Sequence, residues 1–209
     1  MAHYHVGMSG RTRRSERSTA ELIEQLGRCT YGGTFAKGLN PAQWAALRYF
    51  ANANRFSQTV CAFALYHGTS PGTASQTVKA LLDKDYLRRR PAKHDRRSFR
   101  LELKAKAQRL LRHDPLHFIE TASYVLSSEK RSTLAESLAT ILLQVLAHQH
   151  RPLFGICGTC RHLRGEDCCL SSDTGYECGL LQEPLTEPEL AQICVDYEPR
   201  SMAQVQSPS

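Results

Sequence analysis

Apolar residues return every three to four positions through most of the first 150 residues, and this helical period breaks once. Leu22, Ile23 and Leu26 in "TAELIEQLGRC" make the first short stripe. In "GLNPAQWAALRYF" the stripe is Trp44, Leu47 and Phe50. Asn40 is placed to cap that helix and Pro41 to open it, where a missing N–H costs nothing. A third helix is expected over 58–67, with Val60, Phe63 and Ala64 turned inward and Gly68 to end it. The fourth repeats the grammar of the second. Ser70 caps, Pro71 opens, and Ala74, Val78, Leu81 and Leu82 line one side. The other side offers Gly72, Thr73, Ser75, Gln76 and Lys79, all small or hydrogen-bonding, at the end of the helix where free N–H groups favour anions.

The break comes after Leu87. "YLRRR" and "SFRLEL" flank "PAKHDRR", and Phe99, Leu101 and Leu103 alternate with Ser98, Arg100 and Glu102. Period-two alternation on both sides of a polar turn predicts a β-hairpin. The helical period resumes near Lys104, with a bend expected at Pro115 in "HDPL". A last helix opens after Ser127 or Ser128 and carries Leu134, Leu138, Ile141, Leu142, Val145 and Leu146. The expected fold class is mainly α with a small β-hairpin wing: a winged helix-turn-helix with long dimerisation helices, followed by a small irregular metal-binding C-terminal module.

Three stretches carry a family likeness. "LNPAQWAALRYF", "FALYHGTSPGTASQTVKALLDKDYL" and above all "HDRRSFRLEL" resemble the MarR family of bacterial transcription regulators, over roughly residues 15–150. The most specific element is Asp95-Arg96-Arg97 between two strands, after a helix ending in Asp-Tyr-Leu. Where the family has Leu-Thr-x-x-Gly after the second strand, this chain has "LKAKA", so the junction into the next helix departs from the pattern. The resemblance implies a homodimer with two-fold symmetry, joined through its first and last two helices. It implies double-stranded DNA as the partner, with the helix from Ser70 to Leu82 in the major groove and the hairpin tip toward the minor groove. The residues suit that division. Thr73, Ser75, Gln76 and Lys79 can meet base edges or phosphates, and glutamine can read adenine bidentately. Lys93, Arg96 and Arg97 suit the negative potential of a narrow groove. Ser70 and Gly72 complete the candidate DNA-binding set. Asp95 is expected to pair with a neighbouring arginine, Cys61 to be a small buried residue, and His94 and His113 to be solvated.

Charge sharpens the division. The 209-residue chain carries a formal +7, unevenly spread. Between Lys79 and His113 stand 13 Lys or Arg against 4 acids; between Gly155 and Arg200, 3 Arg against 9 acids. The basic middle suits a polyanion and the acidic end would be repelled by one. No run approaches the roughly 18 apolar residues of a membrane span, and the basic start has no apolar stretch behind it, so no membrane partner is expected. The expected organisation is a disordered basic N-terminus (1–14), a winged-helix and dimerisation domain (15–150), a cysteine-rich module (151–200) and a disordered tail (201–209).

Six of the eight cysteines fall in the last quarter. A cytoplasmic setting is reducing, so clustered thiols there read as metal ligands or redox groups before structural disulfides. Cys157, Cys160, Cys178 and Cys194 make a C-x2-C-x17-C-x15-C pattern, with Cys168 or Cys169 as a substitute fourth ligand. One close pair with two distant single cysteines suits an iron–sulfur cluster of the 4Fe-4S kind; tetrahedral Zn2+ is the alternative, and metal-free thiols come third. The resulting expectation is a cytoplasmic, non-enzymatic, homodimeric repressor at a pseudo-palindromic operator, whose cluster senses redox state, oxygen or iron. Two other readings stand beside it: a regulator answering to a small-molecule effector with a purely structural zinc, and a small thiol redox enzyme.

Overall fold

The computed structural model describes residues 17–33, 35–91, 99–165 and 175–200. Helices α1 (Thr19–Gly33), α2 (Pro41–Asn52), α3 (Val60–His67) and α4 (Pro71–Asp83) are followed by strands β1 (Leu87–Pro91) and β2 (Phe99–Leu103). Then come α5 (Ala105–Leu111), α6 (His117–Ser123) and α7 (Ser128–His148). The remainder holds short strands β3 (Gly155–Ile156), β4 (Leu163–Arg164), β5 (Tyr176–Cys178), β6 (Glu183–Leu185) and β7 (Ile193–Cys194), with 3-10 turns at Cys157–Thr159 and Glu187–Ala191.

The helix starts and stops follow the local chemistry. Asn40 accepts from the Gln43 amide while the Gln43 side chain accepts from the Asn40 amide, a reciprocal cap in front of Pro41. Ser70 accepts from Thr73 N at 3.1 Å, and Gly68 ends α3 in the left-handed region at φ 67°. Ser127 caps α7 by accepting from Lys130 N. Packing then selects the faces. Trp44, Leu47, Phe50, Phe63, Ala74, Val78, Leu81, Leu87 and Leu101 form the main core, each 3% exposed or less. Each large side chain buried there contributes about 1.5–3 kcal/mol. Trp44 also donates its indole N–H to Ala36 O at 3.2 Å, so the one polar atom of the ring is satisfied.

The two wing strands pair antiparallel with Leu87 opposite Leu103 and Arg89 opposite Leu101. Only Leu87 and Leu101 are buried on them. The alternation expected at Phe99 does not reach the core: Phe99 is 51% exposed, because the outer end of the wing projects past the helices. The helix expected from Lys104 is not merely bent but divided. α5 stops at Leu111 and α6 begins at His117, with Asp114 Oδ1 accepting from Leu116 N at 2.8 Å in the turn between them. Asp114 also forms a two-point pair with Arg48, Nε to Oδ2 at 2.6 Å and an Nη to Oδ1 at 2.8 Å, which fastens this turn to α2. Cys61 is exposed on α3, not buried, because Ala62, Phe63 and Ala64 already occupy its inward side.

The 21 residues of α7 span about 30 Å at 1.5 Å per residue. Of its apolar stripe only Leu146 is buried; Leu134, Leu138, Ile141, Leu142 and Val145 remain 37–58% exposed. Leu22, Ile23 and Leu26 of α1 are likewise exposed. Among the described residues no helix is long and apolar enough to cross a membrane.

The C-terminal part departs from expectation. The expected irregular metal-binding module is absent as such: among the described residues no group of three or more His, Cys, Asp or Glu is placed to hold a metal ion. Hydrogen bonding and packing on the main core hold this segment instead. β3 pairs with β7, and β4, β5 and β6 form a small antiparallel sheet. Cys157, Leu185 and Cys194 make a small second core with Phe56 and Tyr197 against them, while Ile193 and Val195 pack on the first core. Gly155 lies against the Tyr197 ring, where a Cβ would sit 2.5 Å from ring carbons. The terminal stretches 1–14 and 201–209, for which disorder is expected, fall outside the described residues.

Candidate nucleic-acid interface

The sequence of α4 sorts itself between two sides. Ala74, Val78 and Leu81 seat it on the core at 0–2% exposure. Gly72, Thr73, Ser75, Gln76 and Lys79 consequently point outward and are exposed. Ser70 is first a cap, and its Oγ also lies 2.9 Å from Thr73 Oγ1, so these two hydroxyls are partly engaged with each other. The space beside Gly72 is open, its nearest neighbour being Ser70 Oγ at 3.9 Å from where a Cβ would stand. The first turn of α4 holds no acid, so the partial positive charge of its free N–H groups is not neutralised locally.

Among the described residues the wing strands add cations with one counter-charge, Glu102. Arg88 and Arg90 both bond to Glu102, at 2.8 and 2.7 Å, and Arg89 lies over the Phe99 ring at 5.8 Å. One carboxylate shared by two exposed guanidinium groups leaves this strand net positive. Lys93, Arg96 and Arg97, with His94 and Asp95, lie outside the described residues.

A third feature escaped the sequence reading: the loop between α2 and α3. Asn54 and Ser57 are both fully buried. Asn54 Oδ1 accepts from Phe56 N and Ser57 N at 3.2 and 2.9 Å, and its Nδ2 donates to Cys157 Sγ at 3.3 Å. Asn54 N donates to Ile193 O at 2.9 Å, and Val195 N donates to Ser57 Oγ at 3.1 Å. The Tyr49 hydroxyl donates to Ser57 O at 2.7 Å, and burial pushes that phenol well above its ordinary range. Arg55 reaches both oxygens of Glu189 at 2.5 and 2.6 Å and the Pro184 carbonyl at 2.5 Å. Burial pushes the Glu189 carboxyl up, but the Thr186 N–H and hydroxyl and the Arg55 guanidinium outweigh it and hold the acid below its usual range. No local signal marks these residues, since "NANRFSQT" reads as an ordinary polar connection.

The cysteines need a correction. Cys157, Cys160, Cys178 and Cys194 do border one cavity, together with His162, Leu163, Leu185 and Asp196. Lining a cavity is not coordination, however: among the described residues no group of three or more His, Cys, Asp or Glu is placed to hold a metal ion, so the expected iron–sulfur cluster or zinc ion is not supported. Instead Cys157 and Cys194 are neighbours in the second core. The interaction with Cys194 first, then burial, holds the Cys157 thiol above its ordinary range, and the interaction with Cys157 first, then the Asn54 amide, holds Cys194 below it. The described cysteines are free thiols, and the expectation of redox, oxygen or iron sensing at a cluster falls with the cluster. Cys168 and Cys169 lie outside the described residues.

A helix pair α3–α4 over a buried core, with an antiparallel wing behind it, defines a winged helix-turn-helix. A sequence profile described as MarR family matches residues 37–98, the stretch from the start of α2 to the wing. Among solved structures, the chain is similar to a MarR transcriptional regulator from Methanosarcina mazei Go1, at 20% identity over 61% of this chain and 95% of that one, with a TM-score of 0.48. It is also similar to the transcriptional regulator SlyA, at 17% identity over 62% and 94%, with a TM-score of 0.49. A third is S. aureus MepR in a MepR–DNA complex, at 19% identity over 61% and 98%, with a TM-score of 0.48. No protein of curated function matches the chain.

Proposed function

We propose that this protein is a homodimeric, sequence-specific DNA-binding transcription regulator, not an enzyme, acting as a repressor at a pseudo-palindromic operator in the cytoplasm. The observation that carries the reading is the outward face of α4: Gly72, Thr73, Ser75, Gln76 and Lys79 exposed together, with no acid in the first turn, beside a net-positive wing. The match of residues 37–98 to the MarR family supports it. So does the solved MepR–DNA complex, a relative in which DNA is bound. In this reading α4 enters the major groove, Gln76 and Ser75 read base edges, and Lys79, Thr73 and the Ser70 end of the helix hold phosphate. Lys93, Arg96 and Arg97 reach the minor groove. Residues 15–150 carry DNA binding and dimerisation, and residues 151–200 are an accessory segment.

Dimerisation follows from the apolar residues that the single chain leaves uncovered. Leu134, Leu138, Ile141, Leu142 and Val145 on α7, and Leu22, Ile23 and Leu26 on α1, make stripes that a second copy would bury. Two-fold pairing through these helices sets two recognition helices one DNA turn apart, which is why the site is a pseudo-palindrome.

The test is selection of bound duplexes from a random library by the full chain, followed by titrations at several salt concentrations. The slope of log affinity against log salt counts the phosphates engaged. Gln76→Ala should relax the preference at one base position by about 1–3 kcal/mol. Lys79→Ala should weaken all duplexes alike and flatten the salt slope. Equal loss on every sequence for both variants, or salt-independent binding, would sink the assignment.

A further inference from the structure

We infer that the accessory segment acts as an intramolecular clamp on the helix-turn-helix, holding α3 at both ends and so setting how α4 and the wing are presented. The inference rests on the DNA-binding reading above.

The grip at the start of α3 runs through the 53–59 loop. A connection between two helices is ordinarily solvated. Here β7 lies along it: Ala53 bridges Ile193, Asn54 N donates to Ile193 O, and Val195 N donates to Ser57 Oγ. Arg55 adds the charged fastening, to Glu189, to Pro184 O and, at 3.4 Å, to Glu183. The same loop carries the DNA-facing parts. Gln58 O accepts from Leu101 N of the wing at 2.8 Å, and Thr59 caps α3 by accepting from Ala62 N. The loop is therefore the shared attachment of the accessory segment, the wing and the first helix of the motif.

The grip at the far end of α3 comes from the first residues of the accessory segment. Arg151 donates to Leu65 O and Tyr66 O at 3.4 Å, and Phe154 meets the Tyr66 ring edge-on at 5.1 Å. These contacts satisfy carbonyls at the C-terminus of α3, just before the turn into α4. Holding both ends of a two-turn helix fixes its tilt, and α3 packs directly on α4. Order in residues 151–165 and 175–200 is then coupled to the geometry of the recognition helix, which is the physical requirement for intramolecular control.

The experiment compares the full chain with Arg55→Met, Glu189→Gln and Ser57→Ala, each checked for native helix content by circular dichroism. The probe is a duplex selected from a random library by the unmodified protein. Affinity is measured at one salt concentration, and hydrogen exchange is followed at the amides of 54–59 and 187–195. The expected result is faster exchange in both segments and about tenfold weaker DNA binding in each variant. Faster exchange with unchanged or tighter binding overturns the clamp, and so does unchanged exchange in all three. An unmodified protein that selects no duplex overturns the DNA reading itself, a separable failure. Ser57→Ala keeps the test sharp if removal of a charge unfolds the chain, since it deletes only the acceptor for Val195 N.

Discussion

Asn54→Ala removes one buried side chain that ties its own loop to the cysteine-rich segment. Its Oδ1 accepts from Phe56 N and Ser57 N, and its Nδ2 donates to Cys157 Sγ. Ser57 N keeps a second acceptor in Asn54 O at 3.0 Å, so the group left without a partner is Phe56 N. Two lost hydrogen bonds at about 1 kcal/mol each, plus about 1 kcal/mol for an unsatisfied N–H, give a destabilisation of about 3 kcal/mol. The protein supplies its own reporter, since its single tryptophan, Trp44, is fully buried in the adjoining core. Urea unfolding followed by tryptophan fluorescence, at one fixed protein concentration because the stability of the proposed dimer depends on it, reads the change directly. With an m-value of about 2 kcal/mol/M the midpoint should fall by about 1.5 M. Asn54→Asp separates the contributions. It retains the acceptor for Phe56 and Ser57 but replaces the amide donor with a carboxylate facing Cys157 and Cys194, so it should be as damaging as alanine or worse. A shift below about 0.3 M for Asn54→Ala would refute the view that this loop is held by its buried polar contacts.

The remaining expectations come from other parts of the fold. His67 stacks on Phe63 at 5.4 Å, and burial first, then the Arg151 guanidinium, holds it below its ordinary value. A base depressed on folding stays neutral to lower pH in the native state than in the unfolded chain, so its contribution is full above its ordinary value of 6.5 and is lost as pH falls below it. Melting temperature should therefore decline between about pH 7 and 5 more steeply in the native protein than in His67→Phe, which keeps the stacking; parallel profiles would contradict this. Leu138→Glu with Leu142→Glu places two charges on one exposed face of α7. On the proposed two-fold pairing, sedimentation should show a monomer at concentrations where the unmodified chain dimerises, a shift of about 100-fold or more in dissociation constant. Gly68→Ala forces a Cβ into the left-handed region and into the Arg151 guanidinium, 2.3 Å away, and should cost about 1–2 kcal/mol in the same urea assay.

Much of the architecture was legible locally. Asn40 with Pro41, Ser70 with Pro71, Gly68 and Ser127 marked helix boundaries that the structure bears out, because capping depends on residues three or four apart. The buried faces of α2 and α4 followed from period alone. The outward residues of α4 were legible for the same reason, as the complement of that stripe. Other expectations failed where the deciding neighbour was remote. Phe99 alternates correctly yet finds no core beneath it, and Cys61 has an apolar setting in sequence but the wrong side of α3. The C-x-x-C spacing suggested a metal, but spacing does not reveal whether donors are set to hold an ion together, and among the described residues no three are.

By itself the sequence determined the elements, their ends, their core-facing sides and the placement of basic charge, all properties of residues within a turn or two of one another. Only the tertiary structure decided what the 53–59 loop and the cysteine-rich segment do to each other. Asn54 and Cys157 are 103 residues apart, and Arg55 and Glu189 are 134 apart. Contacts of that span leave no periodic trace, because they exist only once the chain after α7 has folded back along α3.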